Sequence, residues 1–285
     1  MTISAVMVRD SIAPHGVRLT TMQLKYPRFI HAEFMTHRVF SRNASSSRAI
    51  PVERMIQSII DDTAMPVHWG KNQPGMQARE ECDELIYGFN FNSFDNRDDG
   101  VDKVAAWNIA RDKAISVARA FHNAGYHKQV VNRLLEPFMH INVLVTATEW
   151  DNFFSLRIHP DAQPEIHVLA KRMKDQMDAS TPTPLALNQW HLPYVSQEEL
   201  ESHPITTCIR LSVARCARVS YLTHDGATPE VEKDVALYER LVGSVPLHAS
   251  PAEHQGTPAI EPGLSFANFK GWIQYRGLIE NTLSV

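Results

Sequence analysis

The sequence predicts an α+β fold, helix-rich with one modest antiparallel sheet, in one large domain or two small ones. Three observations predict it. A chain of 285 residues with 44% apolar and 21% charged side chains is long enough for a sizeable core and too apolar for disorder. Several stretches repeat apolar residues at helical spacing, whereas strand-like runs are few and short. No fixed-period repeat or low-complexity tract interrupts them.

Residues 17–25 (VRLTTMQLK) have strand-like content. Pro27 then opens RFIHAEFMTHR, where Phe29, Ile30, Phe34 and Met35 fall at helical spacing. A Ser-rich loop follows. Pro51 suits the first position of a helix, PVERMIQSIIDD, with Val52, Met55, Ile56, Ile59 and Ile60 on one side. Residues 65–102 are rich in Gly, Pro, Asn and Asp, and a connection this long reads as a functional or lid-like insertion. The clearest helix is 103–124, striped by Val104, Trp107, Ala114, Val117, Ala118 and Phe121. Further helices are expected over 129–135, through INVLVTATEWDNFFSLR, and over 163–177, where STPTPL ends the last. A loop to about Pro204, a strand-like segment containing RCARVSY, a helix over 230–242 and a short helix or strand near FKGWIQYR complete the chain.

The formal net charge of -4 gives no general basic field, so nucleic acid is not an expected partner and any phosphate must be held by local arginines. Apolar runs fall far short of a membrane span, and MTISAVMVRDSIAPHG has no secretory pattern, which makes the cytoplasm the expected location. Cys82, Cys208 and Cys216 show no CxxC spacing and read as reduced and mostly buried. HAEFMTH is not HExxH, so no metal site is expected, and neither GxGxxG nor GxxxxGK[ST] occurs.

Chemistry concentrates in residues 36–50, THRVFSRNASSSRAI, where three arginines and four serines share a short loop. Guanidinium forks and hydroxyls suit a phosphate, although a solvated loop with helix-capping serines has the same composition. The order His37-Arg38, seven residues, Ser46, one residue, Arg48 resembles the signature of flavin-dependent thymidylate synthases. In that family the His-Arg pair faces the flavin, while the Ser and following Arg hold the nucleotide phosphate. The resemblance assigns these roles to His37, Arg38, Ser46 and Arg48; Asn43 also matches. Thr36 stands where the family has its first arginine, and Ala44 where it has a glutamate. Glu33, where a glutamine is usual, is a possible nucleotide contact.

NRLLEP followed by ATEWDNFFSLRIHPDAQPEI resembles the family's later half. By position, Arg133 matches a nucleotide-phosphate arginine, Asn152 a flavin-contacting residue and Arg157 the arginine against the pyrimidine. A fixed cation there stabilises negative charge developing on the ring; the bland alternative is a helix arginine paired with Asp161 or Glu165. RCARVSYLTHDG and HASPAEHQGTP resemble segments that the family carries before its signature, whereas here they follow it. This order is similar to that of a circularly permuted, viral-type member in which 206–285 corresponds to the family's N-terminal part, and it adds Ser220, His248, Ser250 and Glu253 to the flavin site.

The resemblance implies a single catalytic domain assembled as a homotetramer with shared active sites. It implies FAD as cofactor, with methylenetetrahydrofolate and NADPH as co-substrates, for reductive methylation of dUMP to dTMP. Thr36 and Ala44 motivate, as an alternative, an enzyme making 5-hydroxymethyl-dUMP or acting on dCMP. A degenerate homologue that binds a nucleotide or RNA through the Arg/Ser loop without catalysis is a third reading.

Overall fold

The structure, a computed structural model, describes residues 2–88, 100–221, 230–244 and 247–283. Strand β1 (Ser4–Ile12) pairs antiparallel with β2 (Arg18–Pro27), from Ser4 opposite Lys25 to Ile12 opposite Arg18, with an irregularity between Met7 and Arg9. A 3-10 turn, Arg28–Ile30, leads into the five-residue helix α1 (His31–Met35). Within the expected Ser-rich loop lies an edge strand, β3 (Ser41–Ala44). Helix α2 (Val52–Asp61) starts directly after Pro51 and buries Val52, Met55, Ile56 and Ile59. Between residues 65 and 102 the described part carries isolated bridges and no regular helix; residues 89–99 lie outside the described set.

Helix α3 (Lys103–Asn123) begins where the Asp102 carboxylate accepts from the amides of Val104 and Ala105, a side-chain cap that satisfies two otherwise orphan donors. Gly125, at φ 87°, takes the left-handed position just beyond it. The helix expected over 129–135 divides into α4 (Lys128–Val131) and a 3-10 segment, Asn132–Phe138.

The long helix expected through INVLVTATEWDNFFSLR is two elements: strand β4 (His140–Ala147) and helix α5 (Asp151–Arg157). The strand is central and buried on both faces, so its apolar run has no alternation, and periodicity cannot separate such a strand from a buried helix. Helix α6 (Pro164–Ala179) is capped by the Gln163 side chain, and β5 (Thr183–Pro184) follows. After α7 (Gln197–Ser202), the segment expected as a strand around RCARVSY is the second half of helix α8 (Ile205–Tyr221). Residues 211–217 of this helix are all buried, so its apolar residues form no one-sided stripe and the segment reads as strand-like. Helix α9 (Val231–Val242), strands β6 (Gly256–Pro258), β7 (Ser265–Phe266), β8 (Phe269–Lys270) and β9 (Trp272–Gln274), and helix α10 (Tyr275–Leu283) complete the chain.

The main sheet has the order β3-β4-β2-β1-β5, antiparallel except between β1 and β5, so the fold is α+β as the sequence predicts. On one side, Met22, Leu24, Val143 and Val145 pack with Phe34, Phe40, Phe153 and Leu169 from α1, α5, α6 and the loop after α1. On the other side, Cys216 and Val219 of α8 pack on Leu144. A fully buried polar chain also joins the C-terminal region to the sheet: Ser11 to His191 (2.9 Å), His191 to Thr21 (2.8 Å), Thr21 to Thr146 (2.7 Å) and Thr146 to His254 (2.8 Å).

Candidate active site

The Ser-rich segment is fastened before it reaches the surface. Ser45 donates its amide to Asn142 O (2.8 Å) and accepts the Asn142 amide on its hydroxyl (3.1 Å), continuing the β3–β4 pairing. Asn132 Nδ2 then donates to Ser47 O (2.7 Å) and Ile50 O (3.0 Å), binding the loop to the 3-10 segment that carries Arg133. Residues some 85 positions apart thereby meet: Ser46, Arg48 and Arg133 line one cleft of about 230 Å³ with Arg28, Ala44 and Glu136.

Glu136 organises this cleft. It accepts from the Ser47 hydroxyl at 3.1 Å, pairs with Arg28 at 3.3 Å and lies 4.0 Å from Arg133. Three guanidinium groups face one carboxylate, which leaves a net positive recess for a phosphate-sized anion. His31, on the same wall, adds no charge: burial, Arg28 and Arg42 bring its pKa down to about 4 against the opposing pull of Glu136.

The second centre lies at the end of α5. Phe153 and Phe154 anchor that helix in the core, and Arg157 in its last turn donates through Nε to His37 Nε2 (2.9 Å) and through Nη2 to Thr36 Oγ1 (3.2 Å). The bland alternative, pairing with Asp161 or Glu165, is therefore not the arrangement adopted. His37 is buried, edge-on to Phe153 at 4.8 Å, and its pKa falls to about 4 through burial, then Arg157 and Arg42. Thr36 also donates to Glu33 O at 2.7 Å. The Glu33 carboxylate has one enclosed oxygen, Oε2, with no hydrogen-bond partner among the described residues. Arg38 is exposed on the following turn.

At the other end of α5, Asn152 is exposed and borders a larger cleft of about 490 Å³ with Trp150, Phe154, Arg18 and Lys174. The C-terminal candidates approach from the far side of β3. His248 and Ser250 are exposed, and Glu253 ends the 3-10 turn Ser250–Glu253 with its carboxylate paired to Arg276. Burial pushes the Glu253 carboxyl up, opposed by Arg276 and Arg42. Gln274 Nε2 ties this turn to the sheet by donating to Glu253 O (3.0 Å) and Ser41 Oγ (2.9 Å). Asn43 Nδ2 donates to Cys216 O at 2.6 Å, joining β3 to α8. The Ser220 side chain lies outside the described residues.

Arg28, His31 and Glu136 are cleft-wall residues that sequence reasoning missed, and Arg42 was counted there only as one of three loop arginines, with no role of its own. For Arg42 a signal existed: in SRNA, Ser41 and Asn43 are buried while Arg42 and Ala44 are half-buried, the alternation of an edge strand. Arg28 and Glu136 carry no comparable mark, because their pairing depends on the β2–β4 register that sets Pro27 opposite His140. Among the described residues no group of three His, Cys, Asp or Glu side chains could hold a metal, and no helix is long and apolar enough to cross a membrane.

The α+β scaffold thus carries a Ser/Arg cleft whose donors suit an anion, and an Arg–His pair at the end of α5. The sequence profile of the thymidylate synthase complementing protein family matches residues 18–183, more than half of the chain, and the chain belongs to that family. No curated protein sequence matches the chain. Among solved structures, the chain is similar to the UMP/dUMP methylase PolB from Streptomyces cacaoi bound with 5-Br dUMP (TM-score 0.41, 16% identity, 62% of this chain and 90% of that one). It is also similar to Thymidylate Synthase X (ThyX) from Helicobacter pylori with FAD and dUMP (TM-score 0.36, 15% identity, 56% of this chain and 67% of that one).

Proposed function

We propose that this protein is a flavin-dependent thymidylate synthase, which converts dUMP to dTMP with methylenetetrahydrofolate as carbon donor and NADPH as reductant of FAD. Family membership supports the one-carbon transferase class. The single observation that carries the nucleotide assignment is the convergence of Ser46, Arg48 and Arg133 on one cleft.

In this reading those three residues hold the nucleotide phosphate, and Glu33 adds a contact from α1. Arg157 lies against the pyrimidine, where its fixed charge polarises the ring carbonyls and makes C5 and C6 reactive without an enzyme nucleophile. A cysteine nucleophile has no support in the site, since burial pushes the Cys216 thiol far up. The donor set suits FAD: Arg38, Asn152, His248 and Ser250 are exposed, and Asn152 borders the larger cleft. His37, Arg38, Asn43, Asn152, Ser220, His248, Ser250 and Glu253 would hold the cofactor, whose reduced form supplies the hydride when bound.

We further propose that residues 1–285 act as one catalytic domain, with 206–285 in the role of the family's N-terminal part, in a cytoplasmic homotetramer with shared sites. Exposed Met35, Val39 and Leu156 around the Thr36–His37–Arg157 cluster support a subunit contact there. The test is a flavin absorbance spectrum of the purified protein with and without dUMP, followed by mass spectrometry of the nucleotide after turnover. A colourless protein that takes up no added FAD, or a product other than dTMP, would overturn the assignment.

A further inference from the structure

Arg42 is a charged residue that the signature leaves unexplained. It stands on the outer face of β3 with Ala44, while Ser41 and Asn43 on the inner face bond to Gln274 and Cys216. Its guanidinium is half-buried and donates from Nη1 to Met35 O at 2.9 Å, beside Thr36. Among the described residues this is its one hydrogen bond, and no carboxylate lies within ion-pair distance of it. Glu253, the carboxylate whose charge acts on it, is already paired with Arg276. Most of its N–H fork is thus unused by the described residues, and its planar donors suit the oxygens of an anion.

Its position says where that anion would lie. Arg42 acts electrostatically on His31, which lines the serine–arginine cleft, and on His37, which holds Arg157. It therefore lies within electrostatic reach of both centres, tied by its bond to Met35 O to the turn that carries Thr36 and His37. Its strand neighbour Ala44 lines the cleft and adds no carboxylate to compete for the fork. Thr36, where the resemblance expects an arginine, has no charge of its own and is next to the carbonyl that holds Arg42 in place.

We propose that Arg42 is a phosphoryl-binding residue, whose unused N–H fork takes oxygens of a phosphate ester lying between the serine–arginine cleft and Arg157. It supplies from β3 the guanidinium that position 36 lacks. The identity of the ligand rests on the nucleotide reading above; the phosphoryl chemistry does not. A phosphoryl group could belong to the nucleotide or to the pyrophosphate of FAD, and one set of titrations separates them.

The full chain, Arg42→Ala and Arg42→Lys are titrated calorimetrically with dUMP, deoxyuridine, FAD and inorganic phosphate. Arg42→Ala is expected to weaken dUMP by about tenfold or more and to leave deoxyuridine unchanged. Arg42→Lys keeps the charge without the planar fork and should lose several-fold. A loss confined to FAD would assign the same role to the cofactor's pyrophosphate. Should Arg42→Ala fail to fold, Arg42→Lys decides, and wild-type affinity for every phosphorylated probe in either folded variant overturns the proposal. If the wild type binds phosphate through Arg42 but neither dUMP nor FAD, the nucleotide reading fails and the Arg42 inference stands. A wild type that binds no phosphorylated probe overturns both.

Discussion

Arg157 donates through Nε to Nε2 of His37 at 2.9 Å. Arginine has no acceptor to offer, so the imidazole must present a lone pair at Nε2 and carry its proton on Nδ1. Burial and the neighbouring guanidinium charges favour the same neutral form, with the His37 pKa down at about 4. His37 thus acts as a fixed acceptor that aims Arg157, and Thr36 fixes the second nitrogen.

Arg157→Ala should abolish turnover while FAD stays bound, since the side chain serves the pyrimidine in the proposed site. Removing one preorganised charge-stabilising group costs about two to three orders of magnitude in rate. Turnover measured beside the flavin absorbance of the same sample checks this, and undiminished turnover would refute the role.

Arg48→Ala should mainly raise the apparent dissociation constant of dUMP, by about tenfold, because one charge-assisted bond to phosphate is lost. Arg133→Ala should do the same, as both residues line one cleft. Equilibrium titration beside steady-state kinetics separates the cases: a rate loss at unchanged affinity argues against a phosphate role.

Much of this site was legible before folding because it lies in short ordered motifs: Ser46 and Arg48 in one, Arg133 and Arg157 in another. Helices α2, α3, α6 and α9 were legible because each has a polar face to alternate against its buried stripe. Strand β4 was not, since burial on both sides erases alternation. The C-terminal half of α8 reads as a strand for the same reason, because residues 211–217 are buried on all sides and leave no helical stripe. Arg28 and Glu136 became visible only with the β2–β4 register, which depends on contacts distant in sequence.

Asp234→Asn should strongly destabilise the α8–α9 pair. Asp234 is fully buried and accepts from Arg215 Nε (2.9 Å) and from Arg218 Nη2 (2.6 Å). The Arg215 side chain is itself 4% exposed and also pairs with Glu199 at 2.5 Å. Removing one charge from such a group leaves the others uncompensated, at a cost of about 3–5 kcal/mol. Urea unfolding followed by circular dichroism measures the loss, and a change under about 1 kcal/mol would show that the pairs are of the weak, solvent-screened kind.

Acid should destabilise the fold well before its carboxylates titrate. His254, fully buried, has its pKa lowered by burial to about 3, and His191 is shifted well down for the same reason, with Arg9 and His254 adding to it. Both are neutral links in the polar chain from Ser11 to Thr146 and His254. An unfolded histidine takes up a proton near pH 6.5, whereas these two do not, so between that pH and their folded values the unfolded state binds more protons. Stability is therefore complete above about pH 6.5 and falls as pH drops below it, by about 1.4 kcal/mol per pH unit for each histidine. Asp62 and Glu199, with pKa values lowered to about 2, act in the same direction at lower pH. Urea midpoints measured from pH 7.5 to pH 5 should decline, and His254→Gln should flatten the decline by up to one proton. A midpoint that stays level over this range would mean that the two histidines are protonated in the folded protein, and the polar chain would need a different set of donors.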